Sequence, residues 1–153
     1  MKAITIHQPW ASMIALGEKT IECRSWRTHH RGPLLICASN KKPPLFEGYR
    51  PPYGLALAVV DVVDCRLLVR EDMAAAGMVP EDWPYVEGGY GWILANAKEI
   101  EPFKVKGYQG IYNVECDPAP LPSKYENHFA WWDKHGPREK GPSKPAKKSS
   151  STS

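Results

Sequence analysis

No stretch of this chain approaches the ~18 consecutive apolar residues that a membrane span requires, and Met1 to Ile6 is too short and too interrupted to serve as a signal peptide. A soluble, intracellular and specifically cytoplasmic protein is therefore expected. Cysteine is sparse: Cys23, Cys37, Cys65 and Cys116 are widely separated and form neither CxxC nor Cys/His ligand spacing. That argues for buried reduced thiols and against a zinc module or a disulfide framework. The chain also lacks a serine-hydrolase elbow, a zinc-binding helix and a dinucleotide fingerprint. Gly88-Gly89-Tyr90-Gly91 imitates a phosphate loop, but it precedes a strand and lacks the Lys-Ser/Thr ending. Asp61 and Asp64 are not expected to form a carboxylate dyad, because residues three apart in a strand point to opposite faces unless a bulge intervenes. There is no internal repeat, and no metal or cofactor is expected.

What is present suffices for one domain with a real core: 153 residues, 42% hydrophobic, with six tryptophans. The net charge of +3 is unevenly distributed. Residues 1–50 carry eight Lys/Arg against three Asp/Glu, residues 51–137 seven against thirteen, and residues 138–153 five against one. A basic N-terminal third can attract phosphate even though the whole chain is close to neutral.

Lys2 to His7 alternates as a strand should. Pro9 then suits the first turn of a helix running to Leu16, stopped by Gly17. Trp10, Met13 and Ile14 form its apolar stripe, which predicts Trp10 as a core residue. Thr20–Trp26 reads as the second strand, and Pro33–Ser39 as a third too apolar to lie on a surface. The four prolines at 43, 44, 51 and 52 make residues 40–53 a loop or a broken helix beside the site. Leu55–Leu68, Tyr90–Ile100 and Gly110–Glu115 complete about six strands, the last two joined through Pro102 and a turn at Gly107. Arg70–Ala76 is helix-compatible, as is Tyr125–His135. Without regular βαβ alternation, the pattern argues for a small α+β barrel with an early helix packed beside it.

The segment Gly17 to Trp26 carries the chemistry. On a strand, Glu22, Arg24 and Trp26 share one face, and Lys19 lies just before it. A cation, a carboxylate, a guanidinium and an indole lining one cleft suit a planar polar ligand such as a nucleobase. Arg27, His29, His30 and Arg31 follow directly, a basic and imidazole-rich loop fit to contact phosphate. Gln8 either caps the first helix or reads a base edge through its paired donor and acceptor. The ligand-binding candidates are thus Gln8, Lys19, Glu22, Arg24, Trp26, Arg27 and Arg31.

These residues resemble the ASCH domain family, the activating-signal-cointegrator homology domains of the PUA-like β-barrel superfamily. The family pattern Gly-x-Lys-x-x-Glu-x-Arg corresponds to Gly17, Lys19, Glu22 and Arg24. Gln8-Pro9-Trp10 precedes it, and Ser25-Trp26 and Arg31-Gly32 follow. Tyr90-Gly91-Trp92, Glu101-Pro102 and Gly107-Tyr108-Gln109-Gly110-Ile111-Tyr112 look like the family's closing strands. The resemblance covers residues 2–116. It leaves the rest unexplained, and composition adds to this domain over 1–116 a helix-compatible extension over 117–136 and a disordered Lys/Ser/Pro tail over 137–153.

The resemblance implies a cleft beside the first helix that binds RNA or a nucleotide. Some relatives are hydrolases. One branch resembles amidohydrolases acting on N4-acylated cytidine through a Thr-Lys-Glu set, and another is identified with metal-aided ribonucleases. The amidohydrolase branch has threonine three residues after the lysine, where this chain has Glu22, so that nucleophile is absent. Thr20 points to the opposite face. A hydrolytic alternative would use Glu22 as general base and Lys19 to stabilise developing charge, making both catalytic candidates, with His29 or His30 moving protons in RNA cleavage. A second alternative is a protein-interaction module acting through the C-terminal helix and tail.

Overall fold

A computed structural model describes residues 1–139, so residues 140–153 of the expected tail lie outside the described residues. Strand β1 spans Lys2–Ile6, helix α1 Trp10–Ala15, β2 Ile21–Arg24, β3 Gly32–Ala38 and β4 Leu55–Leu67. A single helical turn, α2, covers Trp83–Val86. It is followed by β5 Tyr90–Lys104, β6 Ile111–Asn113 and helix α3 His128–His135. The strands form one sheet in the order β2-β5-β4-β3-β1-β6. β1 and β3 run parallel, and every other neighbouring pair is antiparallel. The sheet curls into a half-barrel with the early helix packed beside it, the α+β barrel arrangement expected from the sequence.

Curling follows from the two long central strands. β4 and β5 pair with three register shifts, between Ala56 and Ala58, Val59 and Asp61, and Val62 and Asp64. Each bulge sharpens the local twist and bends the ribbon. β3 is buried on both faces: Leu34, Ile36 and Ala38 join the cluster that includes Ile14 of α1, while Leu35 and Cys37 join Ala3, Ala56 and Ile100 on the other side. The apolar run without alternation thus marked a central strand.

Two expectations are corrected. β5 does not stop at Ile100 but continues through Pro102 to Lys104, which proline allows where its missing N–H removes no essential ladder bond. The segment after β4 is only a 3₁₀ turn at Arg70–Asp72 followed by turns. It is held by Asp72, whose carboxylate accepts from Arg66 at 2.8 and 2.9 Å and from the Val69 N–H at 2.9 Å.

The extension after residue 116 is joined to the sheet. Glu101 N–H donates to Ala119 O at 2.8 Å, and Asn127 caps α3 by accepting from Phe129 and Ala130. Trp131 and Trp132 pack against the cluster containing Ile14. The proline-rich loop 40–53 is fastened by the same helix, because the Trp132 indole donates to Arg50 O at 2.9 Å and the Tyr49 hydroxyl to Asp133 at 3.0 Å.

Candidate functional site

An open cleft of about 920 Å³ lies where the end of β1, the start of α1, β2 and the loop between β5 and β6 meet. Its floor is ionic. Lys19 is buried at 4% exposure, and its ammonium donates to Ile21 O at 2.7 Å and Ala76 O at 2.6 Å, with Glu22 Oε1 at 3.5 Å. Glu22 Oε2 accepts from Arg24 Nε at 2.8 Å, and Arg24 Nη2 donates to Thr5 O at 3.3 Å. Two cations and one carboxylate leave the floor one charge positive, in surroundings that screen less than water does.

Local structure explains how a lysine comes to be buried there. Gly17, at φ +79°, ends α1, and Glu18 and Lys19 both donate to Met13 O, which folds the chain back under the helix. Gly77, at φ +72°, lies where an added Cβ would stand 2.8 Å from Met13 Cε and 3.6 Å from Lys19 Cδ. The glycine thus admits the lysine stem beside its carbonyl partner, Ala76. An exposed lysine at a helix terminus would have none of these contacts.

The walls are aromatic. Trp26 is 42% exposed, stands edge-on to buried Trp92 at 5.9 Å, and carries the Arg24 guanidinium 5.4 Å from its ring centre. The Trp92 indole donates to Trp26 O at 3.2 Å, fixing the wall from behind. Trp10 also lines the cleft and is 39% exposed. This corrects its expected place in the core: the buried face of α1 is Ala11, Ser12, Ile14 and Ala15, which leaves Trp10 on the edge of the stripe. Exposed Lys41, Lys106 and Tyr108 complete the rim, the lysine 5.7 Å from the Tyr108 ring. Gly107 lets that loop lie against β1, since a Cβ there would be 2.9 Å from Thr5 Oγ1.

The structure brings Lys19, Glu22, Arg24 and Trp26 together and leaves the other candidates elsewhere. Gln8 does not line the cleft. Its amide donates to Ser12 Oγ at 2.8 Å and Pro52 O at 2.9 Å, and its oxygen accepts from Ser12 N–H at 2.9 Å. The two Ser12 contacts fit the helix-securing alternative, and the Pro52 contact ties the same amide to the proline-rich loop. Arg27 lies over the Tyr90 ring at 5.4 Å, and Arg31 donates to Thr28 O and His30 O at 3.0 Å. Neither lines the cleft, and nor do His29 and His30; His30 Nε2 is 2.8 Å from Pro33 O. The chain leaves the cleft after Trp26, because β2 ends at Arg24 and Thr28 is buried.

The aromatic and basic cleft residues Trp10, Lys41, Lys106 and Tyr108 are not among the candidates that the sequence offers. Trp10 was misplaced by one helical position. The Gly-bounded stretch Gly107–Gly110 was a detectable turn signal, but nothing local shows that it faces Trp10 across the sheet end.

A family model described as the ASCH domain matches residues 4–104. Human activating signal cointegrator 1 is 40% identical over 132 residues, covering 73% of this chain and 22% of that protein. The mouse protein of the same name is 30% identical over 135 residues, with the same two coverages. The chain therefore spans 22% of the length of these curated relatives. The crystal structure of ASCH from Zymomonas mobilis aligns with a TM-score of 0.57 at 12% identity, covering 74% of this chain and 87% of that one. A mutant form of the same protein aligns at 0.55 and 14%, covering 74% and 89%. At such identity the likeness establishes the fold.

Proposed function

The chain belongs to the ASCH domain family, and on that premise we propose that its cleft binds RNA or a nucleotide, with binding rather than catalysis as its role. The observation that carries this reading is the convergence of an ionic floor with a donor to spare and two indole walls, Trp10 and the Trp26 that Trp92 holds in place. Arg24 Nη1 has no partner among the described residues, and the third Lys19 proton is only loosely engaged at 3.5 Å. Those donors suit the carbonyl edge of a base, Trp10 and Trp26 suit its faces, and Lys41 and Lys106 suit the phosphate. The family's association with RNA binding agrees with this assignment.

Glu22 favours binding over hydrolysis, because both of its oxygens face cations that they hold in place. Its role is to orient Lys19 and Arg24 rather than to activate water. Free thiols at Cys23, Cys65 and Cys116, each half-buried, fit a reducing cytoplasmic setting.

Titrating tryptophan fluorescence with nucleoside monophosphates and short single-stranded RNA tests the reading. Quenching is expected, with an affinity that weakens as salt rises; an unchanged signal overturns it. Incubation with N4-acetylcytidine and with labelled RNA, beside a Lys19→Ala control, tests the hydrolytic alternative. Turnover that is lost with Lys19 would establish catalysis in place of simple binding.

A further inference from the structure

The cleft continues past its own rim. A second trough, of about 950 Å³, runs between the C-terminal end of β5, residues 53–55 and α3, and Asn40 and Lys106 line both depressions. Its walls are aromatic and held in place. Trp132 donates to Arg50 O and meets Tyr53 edge-on at 5.5 Å, while Trp131 stacks on His135 at 4.6 Å. Phe103 adds a further half-buried ring, and exposed Lys104 and Lys106 stand beside it. No carboxylate lines this trough, and neither lysine forms an ion pair among the described residues.

Each depression is near the upper end of the ~300–1,000 Å³ that encloses one small ligand, so a single nucleotide in the cleft leaves the trough open. Fixed aromatic faces beside unpaired lysines are the equipment for stacking successive bases while following a phosphate backbone. A protein segment would gain nothing from the carboxylate-free lysine edge unless it were itself acidic. The shared Asn40 and Lys106 make the two spaces one path.

We infer that a single-stranded nucleic acid with one nucleotide seated in the cleft passes over Asn40 and Lys106 into the trough. Its next bases extend the Trp131–His135 stack and lie against Phe103, and Lys104 holds phosphate. This rests on the cleft being a nucleotide site, and it makes the ligand an oligonucleotide rather than a free nucleotide.

The test is a length series on the full chain: uridine monophosphate by competition, and fluorescein-labelled oligouridylates of two, four and eight nucleotides by anisotropy. Affinity is expected to rise about 10-fold or more between one nucleotide and four. Lys104→Glu and Trp131→Ala should each remove most of that gain while leaving the monophosphate affinity within about twofold. Lys104 is exposed, so its variant keeps the test decisive if Trp131→Ala fails to fold. Monophosphate binding without a length gain, or a gain untouched by Lys104→Glu, overturns the path but leaves the cleft reading standing. Absence of binding at every length removes both. A dimer in light scattering that either substitution breaks assigns the trough to a second copy of the chain and also overturns the path.

Discussion

Two buried polar networks flank α1, and each is built around one carboxylate, Glu99 in one and Glu22 in the other. In the seam between α1 and α3, His128 is fully buried. Its Nδ1 is 2.6 Å from Glu99 Oε1, its Nε2 is 2.8 Å from Ser12 Oγ, and Ser12 in turn accepts from Gln8. A serine, an imidazole and a carboxylate in line have the look of a hydrolytic triad. Yet Ser12 is 3% exposed and lines neither the cleft nor the trough, and the side-chain polar atoms of Gln8, Ser12 and His128 all have partners inside the protein. The Lys19–Glu22–Arg24 network is also largely buried, but it borders about 920 Å³ of open space and keeps a guanidinium nitrogen without a partner among the described residues. A closed network fastens helix to helix, whereas an open one with a spare donor can accept a ligand.

That distinction is most severely tested by His128→Ala. Removing the imidazole leaves Glu99 and Ser12 without their partner in the seam, which should cost about 3 kcal/mol of stability in denaturant unfolding. Nucleotide affinity should be unchanged where the variant is folded, and a loss of affinity without loss of stability would reverse the roles of the two networks.

Asp72→Asn sharpens the comparison from the scaffold side. The segment after Asp72 supplies Ala76 O to Lys19 and Ala75 O to the Thr20 and Ile21 N–H groups. Loss of the Arg66 fork should cost about 2 kcal/mol and weaken binding through the displaced lysine. The bond to Arg66 holds the Asp72 carboxyl below its usual range. Its contribution is therefore complete above the ordinary carboxylate value, ~3.9, and disappears as pH falls through the lowered folded value. Acid unfolding of the variant should lack that component, which a pH series of melting temperatures measures.

Arg24→Ala should show the opposite balance to His128→Ala. Nucleotide affinity is expected to fall about 10-fold, equivalent to about 1.4 kcal/mol, with a smaller change in unfolding free energy. Calorimetric titration beside denaturant unfolding separates the two quantities. The mildest case is Trp10→Ala. An indole at the edge of a six-residue helix contributes little to the core, so stability should stay within about 0.5 kcal/mol. Loss of one stacking face should weaken ligand binding by about 1 kcal/mol in the same titration.

Much of the fold was legible because strand patterning is local. The doubly apolar run at 34–38 announced a central strand, and alternation placed Glu22 and Arg24 on one side of β2, where they form their 2.8 Å contact. Legibility failed where a side chain's role depends on distant partners. Gln8 could not be assigned without Pro52, the burial of Lys19 could not be read without Ala76, and the basic loop from Arg27 to Arg31 seemed adjacent to the site only because it follows it in sequence.

The sequence by itself determined the α+β class, the family motif and the three ionic residues of the cleft floor, since all of these rest on spacings of a few residues. Only the tertiary structure decided which aromatic and basic groups surround that floor. Trp10, Lys41 and Lys106 converge because parallel pairing of β1 with β3 and the bulged curl of β4 and β5 bring chain ends together. The same geometry set Gln8, Ser12, His128 and Glu99 in a closed seam. Period-2 alternation decides which face a side chain takes, but sheet curvature decides what stands opposite it.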